Sequence, residues 1–139
     1  MAVQLDHADL TEQVIGAYFE VYNTLGHGFL EKVYENAMLI ALESRGLRVA
    51  QQWPINVVFG GRVVGQYFAD LFVEGIVIVE IKAADQIGDH HKAQLLNYLK
   101  ASDKEIGLLF NFGPEAKFCR KAMPKRPRPT SDPDNPAKS

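Results

Sequence analysis

The chain has 139 residues but only one cysteine, Cys119, so it can form neither an internal disulfide nor a cysteine-based zinc site. It also lacks a long apolar run. No stretch approaches the roughly 18 residues of a membrane span, and the opening "MAVQLDHADL" has none of the basic-then-apolar pattern of a signal peptide. Neither sign of charge dominates: 15 basic against 17 acidic residues give a formal charge of -2, so bulk charge does not announce a nucleic-acid binder. Internal repeats are absent. These absences point to a cytoplasmic protein without a membrane partner, and they leave open a function that depends on a few local groups.

What is present suits one globular domain, residues 1–123, with 47% hydrophobic and 23% charged residues over the whole chain. From Pro124 the composition changes. "PKRPRPTSDPDNPAKS" holds five of the seven prolines and no large apolar side chain, which predicts a disordered, partly basic tail over 124–139. Without it the remainder has 11 basic and 15 acidic residues. Lys117, Arg120, Lys121, Lys125, Arg126 and Arg128 gather where domain meets tail, as a solubilising terminus or a grip on phosphates.

Periodicity predicts two helices, three strands, a helix, and one or two more strands. Asp9 with Glu12 reads as a capping box opening a helix with Val14, Ala17, Tyr18, Val21 and Leu25 on one face. A second helix, from about Leu30 to Arg45, carries Leu30, Val33, Ala37, Ile40 and Ala41 on its apolar stripe. Glu31, Tyr34, Glu35 and Met38 lie on another. "LRVAQQWPINVVF" is a strand that Pro54 interrupts or confines to an edge, with a tight turn at Gly60 and Gly61. "RVVGQYFADLFV" and "IVIVEIKA" form a hairpin. A two-residue loop there pairs Asp70 with Val79; a three-residue loop ending at Gly75 pairs Asp70 with Ile78 and puts Asp70 and Glu80 on one face as diagonal neighbours. A helix from about Asp89 to Lys100 sets Leu95, Leu96 and Leu99 inward and His91, Gln94 and Tyr98 on the adjacent stripe, and "EIGLLFNFG" returns as a strand. The fold class is therefore α/β or α+β, a mixed sheet flanked by helices.

Asp70, Glu80 and Lys82 carry the chemistry this pattern permits. Two carboxylates and the Ile81 backbone carbonyl make a hard-oxygen site suited to Mg²⁺ or Mn²⁺, and a lysine two residues beyond the Glu points to the same side. The competing reading is an ordinary cross-strand ion pair. "GFLEKVY", residues 28–34, has the spacing Gly-x-x-Glu-x-x-Tyr. With "AD" at 69–70, "EIK" at 80–82 and "QLLNY" at 94–98, the chain resembles the GxxExxY family of the PD-(D/E)XK nuclease superfamily from about Asp9 to Lys121.

That resemblance implies a restriction-endonuclease-like fold and metal-dependent hydrolysis of nucleic acid, DNA ahead of RNA, by an endonuclease. It makes Asp70 and Glu80 the main metal ligands, Glu31 a helix-borne carboxylate joining them, Lys82 the catalytic amine, and Gln94 with Tyr98 a supporting pair. Ala69 departs from the proline in the superfamily's name. By analogy, a nuclease that cuts two strands is often a homodimer. A catalytically silent nucleic-acid-binding module and an oligomeric scaffold on the same fold are the alternatives. Of the histidines, only His91 shares the Gln94 and Tyr98 stripe.

Overall fold

The structure, a computed structural model, describes residues 7–124. Lys125, Arg126, Arg128 and the rest of the expected tail after Pro124 lie outside the described residues, as does the N-terminus before His7. The elements run α1 (His7–Leu25), α2 (Glu31–Ser44), β1 (Val49–Phe59), β2 (Arg62–Val73), β3 (Val77–Lys82), α3 (Asp89–Ser102), β4 (Ile106–Phe112) and β5 (Ala116–Ala122). They build one five-stranded sheet in chain order, antiparallel except for the parallel β3–β4 pair. α3 is the crossover that a parallel pair needs. Among the described residues no helix is long and apolar enough to cross a membrane.

Two buried clusters sandwich the sheet. β3 shows the division: Val77, Val79 and Ile81 pack with α1 and α2, whereas Ile78 packs with Leu95, Tyr98 and Leu99 of α3. A strand covered on both faces reads as an unbroken apolar run, as "IVIV" does. Glu80 and Lys82 continue the Ile78 side by alternation.

Three sequence expectations are corrected here. α1 already runs from His7, so Asp9 sits in its first turn, where a carboxylate favours the helix dipole, and does not cap it. On α2 the core stripe is Tyr34, Met38, Ala41 and Leu42, while Leu30, Val33 and Ile40 are exposed. The helix is apolar on more than one side, and the loop before it decides which side turns in. Tyr34 makes that decision: its hydroxyl donates to the Gly26 carbonyl (2.6 Å) and accepts from the Phe29 N–H (3.1 Å), and its ring stacks on Phe112 at 4.2 Å.

The third correction concerns the β2–β3 register. Val73 pairs with Val77, Phe72 with Ile78 and Leu71 with Val79, a register that brings Asp70 level with Glu80. Neither expected pairing of Asp70, with Val79 or with Ile78, forms. The loop consists of Glu74, Gly75 and Ile76, and Arg48, just before β1, holds Glu74. Its N–H donates to the Arg48 carbonyl (2.8 Å), and its carboxylate accepts the Arg48 N–H (2.6 Å). Glu74 and Gly75 both take positive φ, 55° and 66°.

Candidate active site

The β2–β3 ladder stops at Leu71 and Val79, although β2 continues to pair with β1, and β3 with β4. β1 and β2 therefore peel away from the sheet as a ribbon, and Asp70 and Glu80 lie at the fork. Gln52, at the level of Asp70 on β1, has φ 54°. Across this kink the inward face changes: Leu71 packs on the α1/α2 side, but Ala69, two residues earlier, packs on the α3 side.

A fork in a sheet leaves backbone donors without strand partners, and buried donors must be satisfied. Here the two carboxylates do it reciprocally. The Asp70 N–H donates to Glu80 Oε2 (2.9 Å), and the Ile81 N–H donates to Asp70 Oδ2 (2.7 Å). Each acid is thereby locked in place by the opposite strand, and neither has a cation within ion-pair distance among the described residues. Glu80 is 4% exposed.

Burial dominates the electrostatics, and repulsion from a neighbouring acid adds to it. Burial, followed by the charge of Asp70, pushes the Glu80 carboxyl up to about 8, the Asp70 N–H and Lys82 only partly offsetting it. Asp70 is raised in the same direction, chiefly by burial, with Glu35 adding repulsion against the Ile81 N–H and Lys82. Tyr98, raised to about 12 by burial and then by Glu80 and Asp70, keeps its phenol proton at neutral pH.

The other expected residues fall around this pair. Lys82 is half-buried, with its charge felt by both acids. Glu31 accepts the Ala83 N–H (3.2 Å), so it tethers α2 to the end of β3. Ile81 is buried in the ladder with Phe110. Gln94 lies half-buried one turn before Tyr98 on α3. His91 accepts the Gly88 N–H at Nδ1 (3.0 Å) at the start of α3, and burial holds its pKa below the ordinary value. Trp53 stacks on Phe72 at 4.0 Å and belongs to the packing.

Sequence reasoning missed Glu35, Gln52 and Asn111 as parts of this site. Glu35, one turn after Glu31, is 5% exposed and accepts from Lys32 (3.0 Å), Gln51 (2.7 Å) and Gln52 (3.1 Å). Gln52 also reaches Asp70 Oδ1 at 3.3 Å, which links the helix carboxylate to the strand pair. The stripe Glu31, Tyr34, Glu35 was a signal for the first; nothing in the sequence marked Gln52. Asn111, fully buried and paired with Lys82 across β3–β4, exchanges two 2.9 Å hydrogen bonds with the Ala84 backbone and so fixes the chain just beyond Lys82.

Among the described residues no group of three or more His, Cys, Asp or Glu side chains is arranged to hold an ion. The donor set nonetheless fits a hard divalent cation. Two carboxylates whose pKa values are raised first by burial, and then by a neighbouring acid, gain from such a charge, and Mg²⁺ commonly takes only one or two protein carboxylates and keeps several waters.

A mixed five-stranded sheet flanked by helices, with an acid pair at the fork of adjacent strands, is a restriction-endonuclease-like α+β fold. The model of the PD-(D/E)XK nuclease superfamily matches residues 8–122, and the chain belongs to that superfamily. The crystal structure of SSO0001 is similar in fold, with a TM-score of 0.52 at 20% identity over 67% of this chain. The chain spans about half of SSO0001, 50% of its length. A search of curated proteins finds no match.

Proposed function

We propose that the protein is a metal-dependent endonuclease of the GxxExxY kind, hydrolysing phosphodiester bonds in nucleic acid, with DNA as its substrate ahead of RNA. The observation that carries this reading is the Asp70–Glu80 pair, with Glu80 buried, Asp70 half-buried and both locked by backbone donors at the fork of β2 and β3. Carboxylates held so rigidly at a cost in repulsion suit a task that a salt bridge would not require. Mg²⁺ or Mn²⁺ held by Asp70 and Glu80, with the Ile81 carbonyl and Glu31 as further donors, would lower the pKa of a bound water and offset charge on a phosphoryl oxygen.

The chain's own residues supply the rest. Lys82 places an ammonium beside the acids, where it stabilises the negative charge that develops on the phosphate. Tyr98 offers a protonated phenol on the α3 side, and Gln94 a neighbouring amide. Glu35 and Gln52 hold Asp70 from the side of α2. Asn111 acts by position, and Glu31 does so as well as offering a donor, since each fixes the backbone immediately after Lys82.

The test is cleavage of labelled DNA and RNA, including branched junctions, with Mg²⁺, Mn²⁺ or EDTA. Lys82→Ala and Asp70→Asn are each expected to lower the rate by about 100-fold or more, the scale for losing a group that stabilises transition-state charge. Cleavage that persists in EDTA or in both variants would refute this site. Metal-independent binding without cleavage would instead identify a silent nucleic-acid-binding module.

A further inference from the structure

Beyond the fork, β1 and β2 continue as a two-stranded arm from Trp53 to Ala69, closed by Gly60 and Gly61. A lone ribbon is marginal in water and needs one face covered. α3 covers the face of Ile55, Tyr67 and Ala69, with Tyr67 and Tyr98 rings 5.2 Å apart. The opposite face is bare and is ordered in rows by the register. Pro54 lies beside Phe68, Asn56 beside Gln66, and Val58 beside Val63, with the bulged Val64 next to them and Phe59 at the tip. All of these residues are exposed, with Val58 at 60%, Val64 at 62% and Phe59 at 79%.

From Trp53 to Phe68 the only charged residue is Arg62. Exposed strands ordinarily carry charges that discourage pairing, and this arm does not. One cation is also too few to make the face a phosphate-binding surface.

We propose that this face is the homodimer interface, occupied by the same face of a second copy of the chain. Aromatic side chains bury roughly 150–250 Å² each and valines somewhat less, so the exposed fractions leave on the order of 550 Å² of apolar surface per copy. Two such faces bury on the order of 1,100 Å², which clears the roughly 1,000 Å² expected of a specific interface, without the backbone edge of β1. The middle row is self-complementary. Gln66 Nε2 donates to Asn56 Oδ1 at 2.7 Å, which leaves the Asn56 amide as donor and the Gln66 carbonyl as acceptor. Across a two-fold axis each donor meets the other copy's acceptor. If the proposed nuclease reading holds, one particle then presents two acid pairs, one for each strand of a duplex; the dimer itself does not depend on that reading.

Sedimentation of the full chain from about 1 to 100 µM, without nucleic acid, tests the interface. The expected mass is twice the 15.5 kDa of one chain. Val64→Lys should weaken dimerisation by about 100-fold or more with an unchanged circular dichroism spectrum, because it places a charge in an apolar seam. In a Cys119→Ser background, Gln66→Cys should oxidise to a linked dimer much faster than Glu43→Cys, which lies exposed on α2. A single-chain mass at 100 µM overturns the proposal. So does a dimer that Val64→Lys leaves intact with no Gln66→Cys cross-link, which would place the contact elsewhere. Because no substrate enters these measurements, failure of the nuclease reading leaves them interpretable.

Discussion

Replacing Glu80 with glutamine should stabilise the metal-free protein, and by an amount that grows with pH. In the fold Glu80 takes up its proton near pH 8, whereas in the unfolded chain an ordinary carboxyl does so near 4.5. Between those values the native state holds a proton that the unfolded state has released, so stability falls as pH rises, by about 1.4 kcal/mol per unit at full slope. From pH 5 to pH 8 the loss is roughly 3 to 4 kcal/mol, a large share of the 5–15 kcal/mol typical of a domain. Asp70 is shifted the same way, so the slope belongs to the pair. His91, held below its ordinary value by burial, acts with the opposite sign, and it is present in both proteins. Glutamine imitates protonated Glu80: its carbonyl can still accept the Asp70 N–H, and it carries no charge. Urea denaturation in EDTA at pH 5, 6, 7 and 8 should show a falling curve for the native chain and a much flatter one for Glu80→Gln, with near-equal stability at pH 5. Saturating Mg²⁺ should flatten the native curve as well. Parallel curves for the two proteins would refute the claim that Glu80 is buried and repelled as the structure places it.

Three other perturbations test the scaffold. Tyr34→Phe removes the hydroxyl that joins Gly26 to Phe29, and should cost about 1–3 kcal/mol in denaturant unfolding while lowering any cleavage rate through a loosened Glu31. Asn111→Ala leaves both Ala84 backbone groups without their partner, and should cost about 2–4 kcal/mol and speed amide exchange after Lys82. Gly113→Ala is expected to fail to fold, or to unfold at a much lower temperature, because its Cβ would overlap the Ala84 carbonyl oxygen; a melting temperature within a few degrees of native would contradict the close approach.

Much of the fold was legible because its elements have one-dimensional signatures. β3 and β4 each open on an apolar run, Gly60-Gly61 marks a turn with two positive φ values, and α3 carries its Leu95 and Leu99 stripe. α2 was legible as a helix but not in its orientation, since a helix with apolar residues around most of its circumference does not say which side is buried. That was decided by the Tyr34 hydroxyl reaching back to Gly26 and by its ring on Phe112, a contact across 78 residues of sequence. The hairpin register escaped for a similar reason: local loop rules offered Asp70 opposite Val79 or Ile78, and the observed loop of Glu74, Gly75 and Ile76 takes neither, with Glu74 bonded to Arg48, distant in sequence.

The sequence by itself determined much of the inventory of the candidate site, namely an Asp, then Glu-x-Lys on adjacent strands, a helix bearing Glu31, and a helix bearing Gln94 and Tyr98, but not Glu35, Gln52 or Asn111. Alternation and helical spacing are covalent properties, so residue order alone puts Glu80 and Lys82 on one side of a strand. Only the tertiary structure decided that β1 and β2 leave the sheet at Asp70, because whether a ladder continues depends on what packs on both of its faces. From that fork follow the reciprocal carboxylate hydrogen bonds, the burial and then repulsion that raise Glu80, the reach of Gln52 to both Glu35 and Asp70, and the arm with one uncovered apolar face.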